Sequence, residues 1–378
     1  MNKLILINGS TAKTGGGKQI LFSLIEKINE YGNQSGYKFV ILVPDKSEFL
    51  HIKKKYISFK QIPKVFNKSF LVPLNNCVTI PLIIKNNSIK IVFNLGDIPL
   101  RTNCNQVMLF DWPYAIYEDK EVWRLMPLKE KFLRKFKLYV FKKLIKYVDC
   151  ILAQTEVTKS RLQERFKIND IKIFPNAVAI DHFKVNKSNK SLIKLSKKFN
   201  LLCLSAYYIH KNLEIFLKVG KILKEKNIHA KIFITIDKNQ NKKARKLLRD
   251  IDNSELADYL ENLGSIKLAN VPNLYKRVDA LILPTLLESF SGTYVEAMWN
   301  KKIILTSDKD FARIVCGENA YYFNPLDADD ICMKIEKAIN HPSDIENKVE
   351  SAYKNVNNMP NWDSVYFSMI NIFKETIK

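Results

Sequence analysis

The stretch Ala280-Leu-Ile-Leu-Pro-Thr-Leu-Leu-Glu288-Ser-Phe-Ser-Gly-Thr-Tyr-Val-Glu296-Ala-Met298 carries more information than any other part of the chain. Its apolar run stops at Pro284, which reads as a buried strand. A loop with Glu288 follows, and a helix starts near Gly292 and carries Glu296. That order puts one carboxylate at the C-terminal edge of a strand and the other about a helical turn further on. N–H groups around Gly292–Tyr294 lie at the helix N-terminus, where phosphate is welcome. Carboxylates so spaced can accept hydrogen bonds from vicinal hydroxyls of a ribose or a hexose. The same chemistry also fits a plainer role, in which Glu288 and Glu296 cap and solvate a helix.

Outward from this segment, short apolar runs alternate with helical patterns. The runs Lys3–Ile7, Lys38–Val43, Lys90–Leu95, Gln106–Phe110, Cys150–Gln154 and Lys172–Phe174 form one series of expected strands. Leu201–Leu204, Lys231–Thr235, Ala280–Pro284, Lys302–Thr306 and Ala320–Phe323 form a second. Helical patterns at Gln19–Tyr31, Leu213–Glu225, Lys242–Leu248 and Asp329–Ile339 lie between them. Strand–helix alternation predicts parallel sheets with crossover helices, an α/β class. The charged stretch Lys187–Lys198 reads as a linker between two domains whose sheets face a cleft.

The remaining features bound the function. With 378 residues, 47% of them hydrophobic, the chain is too long for one typical domain and too apolar to be disordered. The six cysteines are scattered, with no CxxC pair and no zinc-finger histidines, so reduced thiols are expected. The N-terminal apolar run ends at Asn8, which predicts a first strand rather than a signal peptide and a cytoplasmic location. A net charge of +23 calls for an anionic partner, or reflects a Lys-rich composition alone. Leu128–Val148 carries Leu128, Phe132, Phe136, Val140 and Leu144 at four-residue spacing among lysines. It reads as a helix lying on an anionic inner-membrane surface, or as a core-packed helix with a basic solvated face.

The loop Ser10–Lys18 contains Gly15-Gly16-Gly17 between a strand and a helix. It lacks the Walker A residues, since Ala12 and Gln19 stand where Gly and Ser/Thr are needed, and it lacks GxGxxG spacing. Asp327-Ala328-Asp329 has the look of a metal-binding pair but sits at a helix start, where acids cap the first turn.

The pair Glu288…Glu296 followed by Ala-Met resembles the E-x7-E signature of the retaining glycosyltransferases of family 4 ("group 1"), which have the GT-B fold. The lead-in Leu-Pro-Thr-Leu-Leu, the loop Ser205–Asn212, the segment Leu263-Gly264 to Asp279-Ala280, Pro175-Asn176-Ala177-Val178, the triple glycine and Trp362 extend the likeness over most of the chain. The resemblance implies two Rossmann-like α/β/α domains facing across a cleft. Residues 1–178 would be an acceptor-side domain and 179–345 a nucleotide-sugar-binding domain, with 346–378 packing back toward the first. It implies that Glu288 contacts the donor sugar, Glu296 the ribose and Lys211 the diphosphate. Gly16 and Gly17 would approach the diphosphate from the other domain, and Ser291, Gly292 and Thr293 would supply N–H groups. A hexose would pass from a nucleotide-sugar to a glycan or lipid-linked acceptor in surface polysaccharide or lipopolysaccharide synthesis, with no metal and no further cofactor.

Two departures stand out. Ala206 replaces the family's Arg, removing one cation from the diphosphate clamp. Asp111, in Leu109-Phe110-Asp111-Trp112-Pro113, stands where a His is usual and becomes a sugar contact. His210, beside Lys211, is expected to pack at the loop. The competing readings are a degenerate non-catalytic scaffold, an epimerase or phosphorylase on the same fold, and a basic nucleic-acid or membrane binder. Nucleic acid is not expected, because no RNP, zinc or helix-turn-helix pattern occurs.

Overall fold

A computed structural model describes residues 3–13, 15–67, 71–118, 120–175, 177 and 197–377. Asn176, Val178 and most of the expected linker 187–198 therefore lie outside the described residues. The chain divides into two compact units, Met1–Ala177 with Pro360–Lys378, and Val178–Met359.

The first unit is a seven-stranded parallel sheet. Its strands are β1 (Lys3–Asn8), β2 (Tyr37–Pro44), β3 (Ile57–Ile62), β4 (Ile91–Asn94), β5 (Asn105–Phe110), β6 (Cys150–Ala153) and β7 (Ile171–Ile173), in the order β3-β2-β1-β4-β5-β6-β7. Every residue of β4 and β6 is buried, as expected for strands covered on both faces. Helix α1 (Gly15–Ser35) buries Ile20, Leu21, Leu24, Ile25 and Ile28, a single stripe at three- and four-residue spacing. Gly36 ends it with φ +71°, a conformation glycine adopts without strain. The later helices are α2 (Val72–Leu74), α3 (Ile80–Asn86), α4 (Lys120–Leu125), α5 (Leu128–Leu144) and α6 (Glu156–Phe166).

The second unit is a six-stranded parallel sheet in the order β10-β9-β8-β11-β12-β13. Its strands are β8 (Phe199–Cys203), β9 (Ala230–Ile234), β10 (Leu260–Asn262), β11 (Ala280–Leu283), β12 (Ile303–Ser307) and β13 (Ala320–Phe323). Its helices are α7 (Ile215–Glu225), α8 (Lys242–Asp252), α9 (Val271–Tyr275), α10 (Gly292–Trp299), α11 (Asp310–Cys316), α12 (Ala328–Asn340) and α13 (Pro342–Asn357).

Two sequence expectations need correction. Two strands went unread, β3 and β10, and each is the outermost strand on the same side of its sheet. An edge strand needs no continuous apolar run: β3 alternates buried ends with exposed or half-buried middle residues, and β10 has three residues. The C-terminal segment 346–378 does not act as one piece. Helix α13 stays with the second unit, where Tyr353 meets Trp299 of α10 at 5.7 Å between ring centroids. Only the last helix, α14 (Trp362–Thr376), returns to the first unit. There Asp363 pairs with Lys27 of α1 (2.5 Å), Phe373 meets Phe93 edge-on, and Asn105 donates to the Thr376 carbonyl (2.8 Å). On α5 the four-residue stripe divides between solvent and core. Leu128, Phe132 and Phe136 are exposed, whereas Val140 is half-buried and Leu144 buried. Each four-residue step overshoots a full turn by about 40°, so the stripe winds from solvent into the core.

All six cysteines are free, four of them buried. Burial pushes the Cys203 thiol up to about 12, so this side chain behaves as a small core residue.

Candidate functional site

Each sheet has one place where consecutive strands wind in opposite directions, and ligands of open α/β sheets gather beyond the strand ends there. In the second unit this place lies between β8 and β11, which pair in parallel with Leu201 opposite Ala280. The loop after β8 and the loop after β11 thus become neighbours, although about 80 residues separate them in sequence.

The β8 loop is braced before it reaches the switch point. The Ser205 N–H donates to the Thr235 hydroxyl (3.0 Å). The Tyr207 N–H donates to the Gln240 side-chain carbonyl (2.9 Å), and the Gln240 amide donates back to the Tyr207 carbonyl (2.7 Å). His210 stacks on Tyr208 with ring centroids 5.5 Å apart, and its carbonyl accepts from Leu286 of the opposite loop (2.7 Å). Asn212 closes the turn with φ +55°, a left-handed conformation asparagine tolerates, and its buried amide donates to the Pro325 carbonyl (2.7 Å). These bonds fix Lys211, whose ammonium donates to the Glu288 carboxylate. The pair is largely shielded, with side chains 14% and 15% exposed.

Helix α10 begins next to this pair. Ser291 occupies its N-cap position, but the Ser291 hydroxyl accepts no bond from the first turn. The amides of Gly292 and Thr293 are first-turn donors without partners inside the helix. Tyr294 anchors the helix from below: its buried hydroxyl bonds that of Thr306 (2.7 Å), which donates to the Leu283 carbonyl at the end of β11 (3.1 Å). Glu296, half-buried one turn on, accepts from the Tyr275 hydroxyl (3.5 Å). Burial pushes the Glu296 carboxyl up to about 7, and the Tyr275 bond offsets only part of that. The Tyr275 phenol is in turn raised by burial and by the neighbouring carboxylate.

The second unit therefore gathers Lys211, Glu288, Ser291, Gly292, Thr293 and Glu296 on two loops and one helix. Gly16, Gly17 and Asp111 belong to the first unit. Gly16 and Gly17 form the first turn of α1, and a Cβ at either would meet nothing within 4 Å. Asp111 follows β5 and is half-buried. Ala206, in place of the expected cation, is exposed. Asp327 caps α12, accepting from the N–H groups of Asp329 (3.0 Å) and Asp330 (3.2 Å). Among the described residues no group of three or more His, Cys, Asp or Glu is placed to hold a metal.

Sequence reasoning missed Tyr275, Thr235 and Gln240, the groups that hold the site residues in place. Their partners lie 21 to 33 residues away, and no local pattern encodes such pairs.

Two parallel sheets, with a charged pair at the switch point of the second, define a double α/β protein. Comparison with known proteins narrows the class. Residues 184–356 match the family model described as "Glycosyl transferases group 1". The O-antigen chain mannosyltransferase RfbU of Salmonella typhimurium is 23% identical over 222 residues, covering 59% of this chain and 55% of that protein. The match thus spans about half the length of that curated relative. The crystal structure of a glycosyltransferase from Rickettsia africae superposes with a TM-score of 0.74 at 19% identity, over 100% of this chain and 99% of that one. Anabaena HepE, solved with UDP and glucose, gives 0.71 at 11% identity over 98% and 99%. The family match covers residues 184–356, just under half of the chain, and the fold of the chain is GT-B.

Proposed function

We propose that the protein is a retaining hexosyltransferase that uses a nucleoside-diphosphate sugar and serves surface polysaccharide or lipopolysaccharide assembly. The observation that carries this reading is the shielded Lys211–Glu288 pair beside the open N-terminus of α10. A lysine and helix amides together suit a diphosphate, while Glu288 and Glu296 suit sugar hydroxyls. On donor binding, Lys211 shifts from Glu288 toward the diphosphate, and Glu288 accepts from the hexose. The leaving diphosphate gains charge as the glycosidic bond breaks, so Lys211 and the Gly292 and Thr293 amides act most strongly in the transition state. Glu296 accepts from the ribose as a carboxylate. Gly16 and Gly17 leave room for phosphate, and Asp111 contacts a sugar hydroxyl. The name of the RfbU relative supports a hexose, and the UDP and glucose bound to HepE support a nucleotide-sugar donor.

The diphosphate is held by cation and helix amides without a metal, a reading supported by Asp327 being committed to its cap. The acceptor is a glycan or a lipid-linked saccharide, and the enzyme works in the cytoplasm as a peripheral protein of the inner membrane. No described helix is long and apolar enough to cross a membrane. One observation favours a non-catalytic scaffold instead: Ala206 leaves the clamp with one cation fewer than its family.

Incubation with UDP-, GDP- and ADP-sugars, followed by analysis of released nucleotide and sugar, tests the proposal. Turnover with one donor class, lost in Glu288→Ala, supports it. Nucleotide binding without turnover favours the scaffold, and unchanged turnover in Glu288→Ala overturns the assigned chemistry.

A further inference from the structure

Helix α5 presents two faces. Phe141 and Leu144 anchor the inner one, with Phe141 meeting Phe110 (6.0 Å), Trp112 (6.2 Å) and Phe166 (5.1 Å). The basic residues on that side are matched: Arg134 with Glu130 (2.7 Å), and Lys137 with Asp97 while lying over the Trp112 ring (4.2 Å). Glu130 is the helix's sole acid. The outer face is a ridge of Leu128 (83% exposed), Phe132 (71%), Phe136 and Tyr139. On a helix of 3.6 residues per turn these four fall within about 80° of arc, with Lys129 along one flank and Lys135 and Lys142 along the other. All three flanking lysines are exposed.

A solvated helix normally turns its charges outward and its apolar side chains inward. Here the apolar residues of the first three turns point outward between rows of cations. That is the pattern of a helix lying in a bilayer interface, with aromatic and aliphatic side chains among acyl chains and lysines at the headgroups. A second exposed apolar strip, Leu74, Val78 and Leu82, runs from α2 to α3, where Lys85 is the one exposed lysine of those two helices. Charge complementarity therefore selects α5.

We infer that the outer face of α5, from Leu128 to Tyr139, docks the protein on an anionic lipid surface. The inference deepens the proposed function, because an enzyme seated on lipid meets an acceptor with a lipid anchor, and that corollary rests on the glycosyltransfer reading. The docking itself does not.

The test is cosedimentation of the full chain with vesicles of phosphatidylcholine alone and of phosphatidylcholine with phosphatidylglycerol. Binding is expected on the anionic vesicles, at least about tenfold weaker on the neutral ones, and weakened by salt. Leu128→Ser with Phe132→Ser should cut binding about tenfold or more, since the two most exposed apolar anchors of the ridge are lost. Lys135→Glu with Lys142→Glu should do the same and flatten the salt dependence. Far-UV circular dichroism and an unchanged melting temperature check that these surface variants fold. The idea is overturned if the α5 variants bind like wild type, if neutral vesicles bind equally well, if Leu74→Ser with Leu82→Ser abolishes binding instead, or if single-stranded RNA outcompetes the vesicles. Titration with UDP, GDP and ADP on the same samples separates the two claims: vesicle binding without binding of any of the three nucleotides leaves docking intact and sinks the transferase, and the converse does the reverse.

Discussion

The two sheets share a topology but fill their switch points differently. In the first unit β1 and β4 are in register at Asn8 and Asn94, and the two buried side chains bond each other, the Asn8 amide donating to the Asn94 carbonyl (2.8 Å). Asn94 also accepts from Gly96 N–H (3.0 Å) and donates to the Ile98 carbonyl (3.0 Å). Ser10 donates to the Asn8 carbonyl (2.7 Å). This neutral network satisfies itself. In the second unit the same position holds a lysine and a carboxylate next to helix amides without internal partners. One switch point is closed by a neutral network, and the other carries a shielded ion pair, which the proposed function reads as the donor site.

Breaking the charged side should have the largest effect. Lys211→Ala and Glu288→Ala are each expected to lower kcat/KM with the preferred nucleotide-sugar by about 10²–10³-fold, the size of a lost transition-state contact. Steady-state kinetics checks this, and the loss should appear mainly in kcat. Breaking the neutral side should cost stability. Asn94→Leu strands the Asn8 amide and the Gly96 N–H in the core, so a loss of about 2–4 kcal/mol is expected by urea denaturation.

A smaller effect sharpens the comparison through pH. The Glu296 carboxyl titrates near 7 in the fold, above its ordinary value of 4.5. The native state then binds more protons than the unfolded chain between those values, so its stability contribution is full below 4.5 and lost as pH rises through 7. Glu296→Gln should therefore raise the melting temperature at pH 8 and leave it nearly unchanged at pH 5. Nucleotide affinity should move the opposite way, rising with pH in wild type and flat in the variant. The smallest effect belongs to Asp327→Ala, a lost helix cap worth about 1 kcal/mol, with turnover unchanged in a metal-chelated assay.

Much of this was legible in sequence. Continuous apolar runs marked the central strands because burial on both faces leaves no polar position; Glu288 and Glu296 stood out by their spacing and Lys211 by the family resemblance of its loop, and the fold pairs Lys211 with Glu288. The edge strands β3 and β10 escaped because one open side relaxes that rule. The Asn8–Asn94 pair and the Tyr275–Glu296 bond escaped because their partners lie 86 and 21 residues apart. On α5 the four-residue spacing was visible, but which end faced the core depended on Phe110, Trp112 and Phe166, which only the fold brings to Phe141.

The most direct test is calorimetric titration of UDP, GDP and ADP into the wild type and into Lys211→Ala. A charge-assisted contact contributes about 1.5–3 kcal/mol, so at least one diphosphate should bind saturably with about 10–100-fold weaker affinity in the variant. Saturable binding that ignores Lys211, or no binding of any of the three, would contradict the claim that the second switch point is built for a nucleotide diphosphate.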